Sequence, residues 1–196
     1  MQELVDRIKT DGIYLGQGII KIDGFLNHQI DSGLVARMGE AFVADMAEAG
    51  VPLDRVTKIL TAESSGISPA LATGMVLGVP VIYARKKPPL TMSQKIYTAE
   101  APSRTKGGLV QLMVSPLYLL PTDELLIVDD FLATGHTLVG LIDIIRQAEA
   151  TLLGVGCVVE KVFEPGRARI TAVFDGPVIS LAKVDLQPDD SLHVFD

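Results

Sequence analysis

Asp129 and Asp130 end an apolar run, Leu125-Leu126-Ile127-Val128, and Thr134, Gly135, His136 and Thr137 follow within seven residues. Carboxylates accept hydrogen bonds from hydroxyl groups. A turn of small residues running into a helix presents backbone N–H groups to an anion. Thr134 and Thr137 add hydroxyl donors. The stretch LLIVDDFLATGHT therefore offers acceptors for sugar hydroxyls beside donors for a phosphate. A ribose 5-phosphate carries both. A pair of acids alone would read as a turn with a helix cap, but the whole pattern asks for a ligand.

Such residues need a frame to hold them. Residues 2–11 read as a short helix with Leu4, Val5 and Ile8 on one face,. Asp31 or Ser32 caps a helix through about Ala49, with Leu34, Met38, Phe42 and Met46 recurring every four residues,. Gly50 and Pro52 stop it. Apolar strands are expected at 56–62, 79–86, 109–115, 124–130, 152–161 and 178–184. A helix follows Ser68-Pro69, read as its cap and first position, and another runs from Gly135 to about Glu149,. Strands alternate with helices, and the central strands are continuous apolar runs. The expectation is a single α/β domain over 1–196, with a mainly parallel sheet flanked by helices. Ligands bind such sheets at the carboxyl ends of the strands. The loops to inspect are therefore 63–67, 86–108, 129–137 and 160–166. Residues 88–108, rich in proline and without apolar periodicity, read as one long irregular segment of the functional or mobile kind.

Composition narrows the partners. Net charge is −7 over 196 residues. That argues against nucleic-acid binding, which needs clustered Lys and Arg. Arg85, Lys86, Lys87, Lys95, Arg104 and Lys106 do concentrate positive charge against one acid, Glu100. This suits a small polyanion. No apolar run approaches the roughly 20 residues of a membrane span, and the first residues lack a signal-peptide core. The single cysteine, Cys157, lies in an apolar run and reads as a buried strand residue,. The expected setting is cytoplasmic. There is no G-x-x-x-x-G-K-[ST], and Gly16-Gln17-Gly18 lacks the dinucleotide-binding spacing,. His28, His136 and His193 are scattered and give no zinc spacing,.

LLIVDDFLATGHT resembles the phosphoribosyl-pyrophosphate (PRPP) motif of the type I phosphoribosyltransferases: four apolar residues, two acids, then Thr-Gly-x-Thr. The resemblance implies that Ala133, Thr134, Gly135, His136 and Thr137 wrap the 5′-phosphate. Asp129 and Asp130 would face the ribose hydroxyls. Glu63-Ser64-Ser65-Gly66 stands where that family has its pyrophosphate loop. Ser64, Ser65 and Gly66 would hold the leaving group, and Glu63 would have another role. Arg85 and Lys86 match a position where, in relatives, a basic residue often reaches the pyrophosphate of the partner subunit. Residues 88–108 match a mobile hood over the site. The fold implied is the type I phosphoribosyltransferase fold, with a small hood from residues 1–30 and the C-terminal part. A homodimer is implied, as is Mg²⁺ held mainly by substrate oxygens with no certain protein ligand.

Two further stretches, IIKIDGFLNHQID (19–31) and VVEKVFEPGR (158–167), resemble the bacterial xanthine phosphoribosyltransferase family, as does ESSGISPALATGMVLGVPVIYARK. In that family the residues matching Ile20, Asn27 and Lys161 contact the base. Asn27 can donate and accept, as xanthine does at its edge. Lys161 would donate to an exocyclic oxygen and favour the anionic base. Adenine carries an amino donor there, which a lysine disfavours. By residue type alone, Asn27 reads equally as a turn cap, Ile20 as core and Glu160-Lys161 as an exposed pair. Phe131 and Phe163 could flank the base ring or simply pack. Many 6-oxopurine transferases carry an acid where this chain has Ala133, which turns the reading away from hypoxanthine and guanine. The activity implied is transfer of a phosphoribosyl group from PRPP to xanthine. Adenine or hypoxanthine-guanine transfer, and a PRPP-sensing purine regulator, are the alternatives.

Overall fold

The computed structural model describes residues 1–87, 96–102, 108–189 and 191–196. The chain opens with a helix, α1 (Gln2–Asp11), and a small antiparallel hairpin of β1 (Ile13–Tyr14) and β2 (Ile20–Lys21). One π-helical turn, Asp23–Asn27, leads to α2 (Ser32–Glu48). The Asp31 carboxylate caps α2 by accepting the Leu34 N–H at 3.0 Å,. Next come β3 (Lys58–Ala62), α3 (Ile67–Leu77), β4 (Val81–Ala84), β5 (Tyr97–Pro102), β6 (Leu109–Val114) and β7 (Glu124–Leu132). The chain finishes with α4 (His136–Gln147), β8 (Thr151–Lys161), α5 (Gly166–Thr171), β9 (Val178–Leu186) and β10 (Leu192–Phe195).

The main sheet has the order β10-β9-β8-β7-β3-β4. All neighbours are parallel except the β10 edge, which runs antiparallel to β9. A parallel sheet must be covered on both faces, and alternating side chains do so here. Ile59, Leu126 and Val128 join α1, α2 and α3 in one apolar cluster. Leu60, Leu125, Ile127 and Cys157 join α4 and α5 in the other. The Met-Phe stripe of α2 faces the sheet as its spacing predicts. Met38, Phe42 and Met46 are fully buried, each contributing roughly 1.5–3 kcal/mol,. Strand β8 makes room for them with glycines: a Cβ on Gly156 would lie 2.8 Å from the Phe42 ring.

Three expectations change. The strand expected at 109–115 does not extend the parallel sheet. It pairs antiparallel with β5, from Tyr97↔Val114 to Pro102↔Leu109, and is bridged to the residue after β4 by an isolated antiparallel Arg85–Met113 pair. A short connection can join antiparallel neighbours, whereas a parallel pair needs a long crossover. The segment 88–108 is therefore not irregular throughout, since 97–102 is strand; 88–95 and 103–107 lie outside the described residues. Helix α3 begins at Ile67 with Gly66 as its cap, so Ser68 and Pro69 lie within the first turn. Proline is tolerated there because first-turn N–H groups have no helical partner.

Candidate functional site

Strands β3, β4, β7, β8 and β9 run in one direction, so their carboxyl ends share one edge of the sheet. Strand β7 continues two residues past the acids, with Phe131 and Leu132 paired to Val159 and Glu160. Asp129 and Asp130 therefore point to opposite faces of a strand still in the ladder.

Their surroundings differ. Asp129 is buried, and its Oδ1 accepts the Asp130 N–H at 3.0 Å. The loop after β3 presses against it: a Cβ on Gly66 would lie 2.1 Å from Asp129 Oδ1 and 2.3 Å from Thr61 Oγ1. Burial, and then the Asp130 charge, push the Asp129 carboxyl well above the usual carboxylate range,. Asp130 is half-buried and accepts the Phe131 N–H at 2.9 Å. Burial raises its pKa too, against the hydrogen bonds from Phe131 and Ser65. Thus Ser65, Gly66, Asp129 and Asp130, expected near one ligand from two distant stretches, are together.

The turn 133–135 then delivers the chain into α4. Gly135 has φ +80, and a Cβ there would stand 2.9 Å from Gly166 Cα. A Cβ on Gly166 would in turn lie 2.2 Å from the Ala133 carbonyl oxygen. Two backbones meet at this point with no room for side chains. The Arg169 guanidinium donates to the Thr134 carbonyl from beneath. His136 Nδ1 lies 3.1 Å from Thr134 Oγ1. Burial and the Arg169 charge depress the His136 pKa, so its ring is neutral near pH 7,. What remains exposed is a turn of small residues at a helix N-terminus, with Thr134, His136 and Thr137 partly open to solvent. Such a turn is able to receive an anion.

On β8, Glu160 and Lys161 are both buried, at 3% and 7% exposure. They are not an exposed pair. Arg167 grips both Glu160 oxygens, at 2.6 and 2.5 Å, and Ser180 Oγ donates a third bond at 2.7 Å. Burial pushes the Glu160 carboxyl up, and these bonds outweigh it, leaving it below the usual range. Lys161 Nζ donates to the Gly18 carbonyl at 2.7 Å and stands 5.2 Å from the centroid of the Phe131 ring. Ile20 is buried on β2. Asn27, exposed at the end of the π-helical turn, reaches Asp130 Oδ2 with Nδ2 at 3.5 Å. The π-helical turn thus meets the sheet edge at Asp130. Phe163 packs on Gly18 rather than standing apart.

Arg85 and Lys86 lie just past β4. Glu63 ties the two strand ends together: its N–H donates to the Ala84 carbonyl at 3.0 Å, and its Oε1 accepts the Lys86 N–H at 2.6 Å. A cis peptide joins Glu63 to Ser64. Ser64 is exposed. The Arg85 side chain turns over Tyr83 and lines a groove of about 540 Å³ along β4, with Met113, Leu117 and Tyr118. None of residues 64–66 lines that groove, so the structure does not gather Arg85 with the loop after β3.

Sequence reasoning missed Arg167 and Arg169. The signal was an acid, Glu160, inside an apolar strand, which demands a partner when buried. Two arginines follow the next Pro-Gly turn. Among the described residues, no cluster of His, Cys, Asp and Glu could hold a metal ion, and no helix is long and apolar enough to cross a membrane.

A family model described as the phosphoribosyl transferase domain matches residues 45–174. A xanthine phosphoribosyltransferase of Deinococcus deserti is 51% identical, covering 94% of this chain and 92% of its own. One from Geobacillus thermodenitrificans is 44% identical over the same shares, 94% and 92%. Among solved structures, adenine phosphoribosyltransferase from Saccharomyces cerevisiae superposes with a TM-score of 0.72 at 23% identity, covering 92% of this chain and 99% of that one. At that identity the likeness concerns the fold.

Proposed function

The chain belongs to the phosphoribosyl transferase domain family, and from that premise we propose that it transfers the 5-phosphoribosyl group of PRPP to N9 of xanthine, giving XMP and pyrophosphate. The observation that carries the base is Lys161: a buried ammonium at the end of β8, bonded to the carbonyl of Gly18 in the β1–β2 hairpin and standing over the ring of Phe131, the residue after the acids of β7. A buried cation there suits a base rich in oxygens and prone to ionise, and it rejects an amino group.

The other residues divide the donor among them. The turn Ala133, Thr134, Gly135, His136 and Thr137 holds the 5′-phosphate. Asp130, half-open, accepts from the ribose hydroxyls. Asp129, sealed behind Gly66, serves the same ligand through the loop it braces. Ser64, Ser65 and Gly66 supply hydroxyls and N–H groups to pyrophosphate, and Arg85 and Lys86, at the end of β4, would reach the pyrophosphate of a partner subunit. Ile20 and Asn27 complete the base site. In the reaction the bond from the sugar C1 to pyrophosphate oxygen breaks, the bond from C1 to N9 forms, and the N9 proton leaves. Positive charge builds on the ribose, so the chain acts by positioning and electrostatics.

Magnesium fits this donor set as a substrate-borne ion. It would be held mainly by pyrophosphate and ribose oxygens, with the Asp130 carboxylate available. It would offset the charge of the leaving group. The working unit is a cytoplasmic homodimer in this reading. The supporting feature is the groove along the open edge of β4, where Tyr83, Leu117 and Tyr118 are 40%, 71% and 64% exposed.

The test is a spectrophotometric assay with PRPP, Mg²⁺ and each purine base in turn. Turnover of xanthine above the other bases is expected. Turnover of adenine with none of xanthine overturns the assignment.

A further inference from the structure

The hairpin of β1 and β2 turns through three consecutive residues with positive φ, Gly16, Gln17 and Gly18. Ile13, Leu15 and Ile19 face outward, while Gly18 and Ile20 are buried. Gly18 is held on three sides. Its N–H donates to Tyr14 Oη at 3.1 Å. Its carbonyl accepts from Lys161 Nζ at 2.7 Å. Its Cα abuts the Phe163 ring so closely that a Cβ would lie 2.9 Å from Cε2. With φ at +73, only glycine meets both demands without strain,.

Lysine carries its charge on a flexible four-carbon stem, so its neighbours decide where the ammonium stands. A buried ammonium also requires acceptors. Here the Gly18 carbonyl and the face of Phe131 supply a fixed frame. That matters for selectivity. Xanthine has two exocyclic oxygens and hypoxanthine has one. A donor fixed in place gains a bond to the extra oxygen, and is left facing a C–H when that oxygen is missing. A donor free to swing tolerates both bases.

We propose that Gly18 is a specificity-positioning residue: its carbonyl fixes the Lys161 ammonium, and the hairpin 13–21 thereby sets the preference for xanthine over other oxopurines. This rests on the function proposed above. The hairpin is thus a part of the base site that acts through its backbone rather than its side chains.

The test uses the full-length protein with Gly18→Ala and Tyr14→Phe. Steady-state constants are measured for xanthine and hypoxanthine at saturating PRPP, and for PRPP at saturating base. In Gly18→Ala the xanthine-over-hypoxanthine ratio of kcat/KM falls about tenfold or more, through the KM of xanthine, with the KM of PRPP unchanged. Tyr14→Phe shifts the ratio the same way by a smaller factor. General damage to the fold lowers activity on both bases and leaves their ratio alone. A folded Gly18→Ala with the original ratio overturns the proposal. Should that variant not fold, an unchanged ratio in Tyr14→Phe does so. Wild-type protein that fails to turn over xanthine removes the function and this inference together, whereas active wild type with unmoved variants removes this inference alone.

Discussion

Gly66 lies so close behind Asp129 that a Cβ on it would stand 2.1 Å from the carboxylate oxygen. The nearby Thr61 hydroxyl, fully buried, has no hydrogen-bond partner among the described residues. The loop after β3 and the acids of β7 are therefore one packed unit. Gly66→Ala must move either the acid or the loop. The expected result is a loss of about 1–3 kcal/mol in stability and a fall of about a hundredfold in kcat/KM for PRPP. Thermal melts and PRPP kinetics check both parts. A variant as active and stable as the parent contradicts the packing.

In the proposed function Lys161 would act on the base and not on the donor. Lys161→Gln should lower kcat/KM for xanthine by about a hundredfold or more, because a charged donor buried against the base is lost. The KM of PRPP should stay within about twofold. Parallel titrations of each substrate separate the two effects.

The Glu160–Arg167 pair makes stability depend on pH in a defined direction. Burial raises the Glu160 pKa, the bonds from Arg167 and Ser180 lower it further than burial raises it, and the net shift is downward. An acid with a depressed folded pKa adds stability above its unfolded value, near 4.3, and loses it as pH falls through the lower folded value. Glu160→Gln should therefore destabilise the protein at pH 7 by about 2 kcal/mol, a figure reduced because Arg167 is partly exposed,. The gap between the two proteins should narrow as pH falls below the unfolded value and close below the depressed folded one,. Melting temperatures across pH 3–8 give the curve, and a constant gap down to pH 3 would contradict it.

Leu117 and Tyr118 stand open beside the β4 edge. Leu117→Asp places a charge in the groove that a second copy would cover. Light scattering should show the mass halved relative to the parent, with the monomer's circular dichroism unchanged. A parent that is itself monomeric at micromolar concentration counts against the dimer.

What the sequence made legible follows from how each element is stabilised. The strands β3, β7 and β8 are buried on both faces, so their apolar runs stand out, and the loop after β7 carries its chemistry within one short stretch. Strand β5 hid because Tyr97–Pro102 includes Glu100 and ends in proline, and only its pairing with β6 makes it a strand. Helix α5 hid because six residues are too few for periodicity to register. The two acids looked alike in sequence. Only the approach of Gly66, a contact between distant segments, makes one sealed and the other accessible. Likewise Lys161 reads as a surface lysine until the hairpin carbonyl and Phe131 enclose it.

The sheet order β8-β7-β3 has a stereochemical consequence. Neighbouring strands are about 4.8 Å apart. The proposed function would put the sugar over the end of β7, with the loop after β3 on one side of it and the end of β8 on the other. A nucleophile delivered from the β8 side and a leaving group withdrawn to the β3 side pass the anomeric carbon from opposite directions. In that arrangement configuration at that carbon would invert, and the handedness of the product nucleotide would follow from which two strands flank a third.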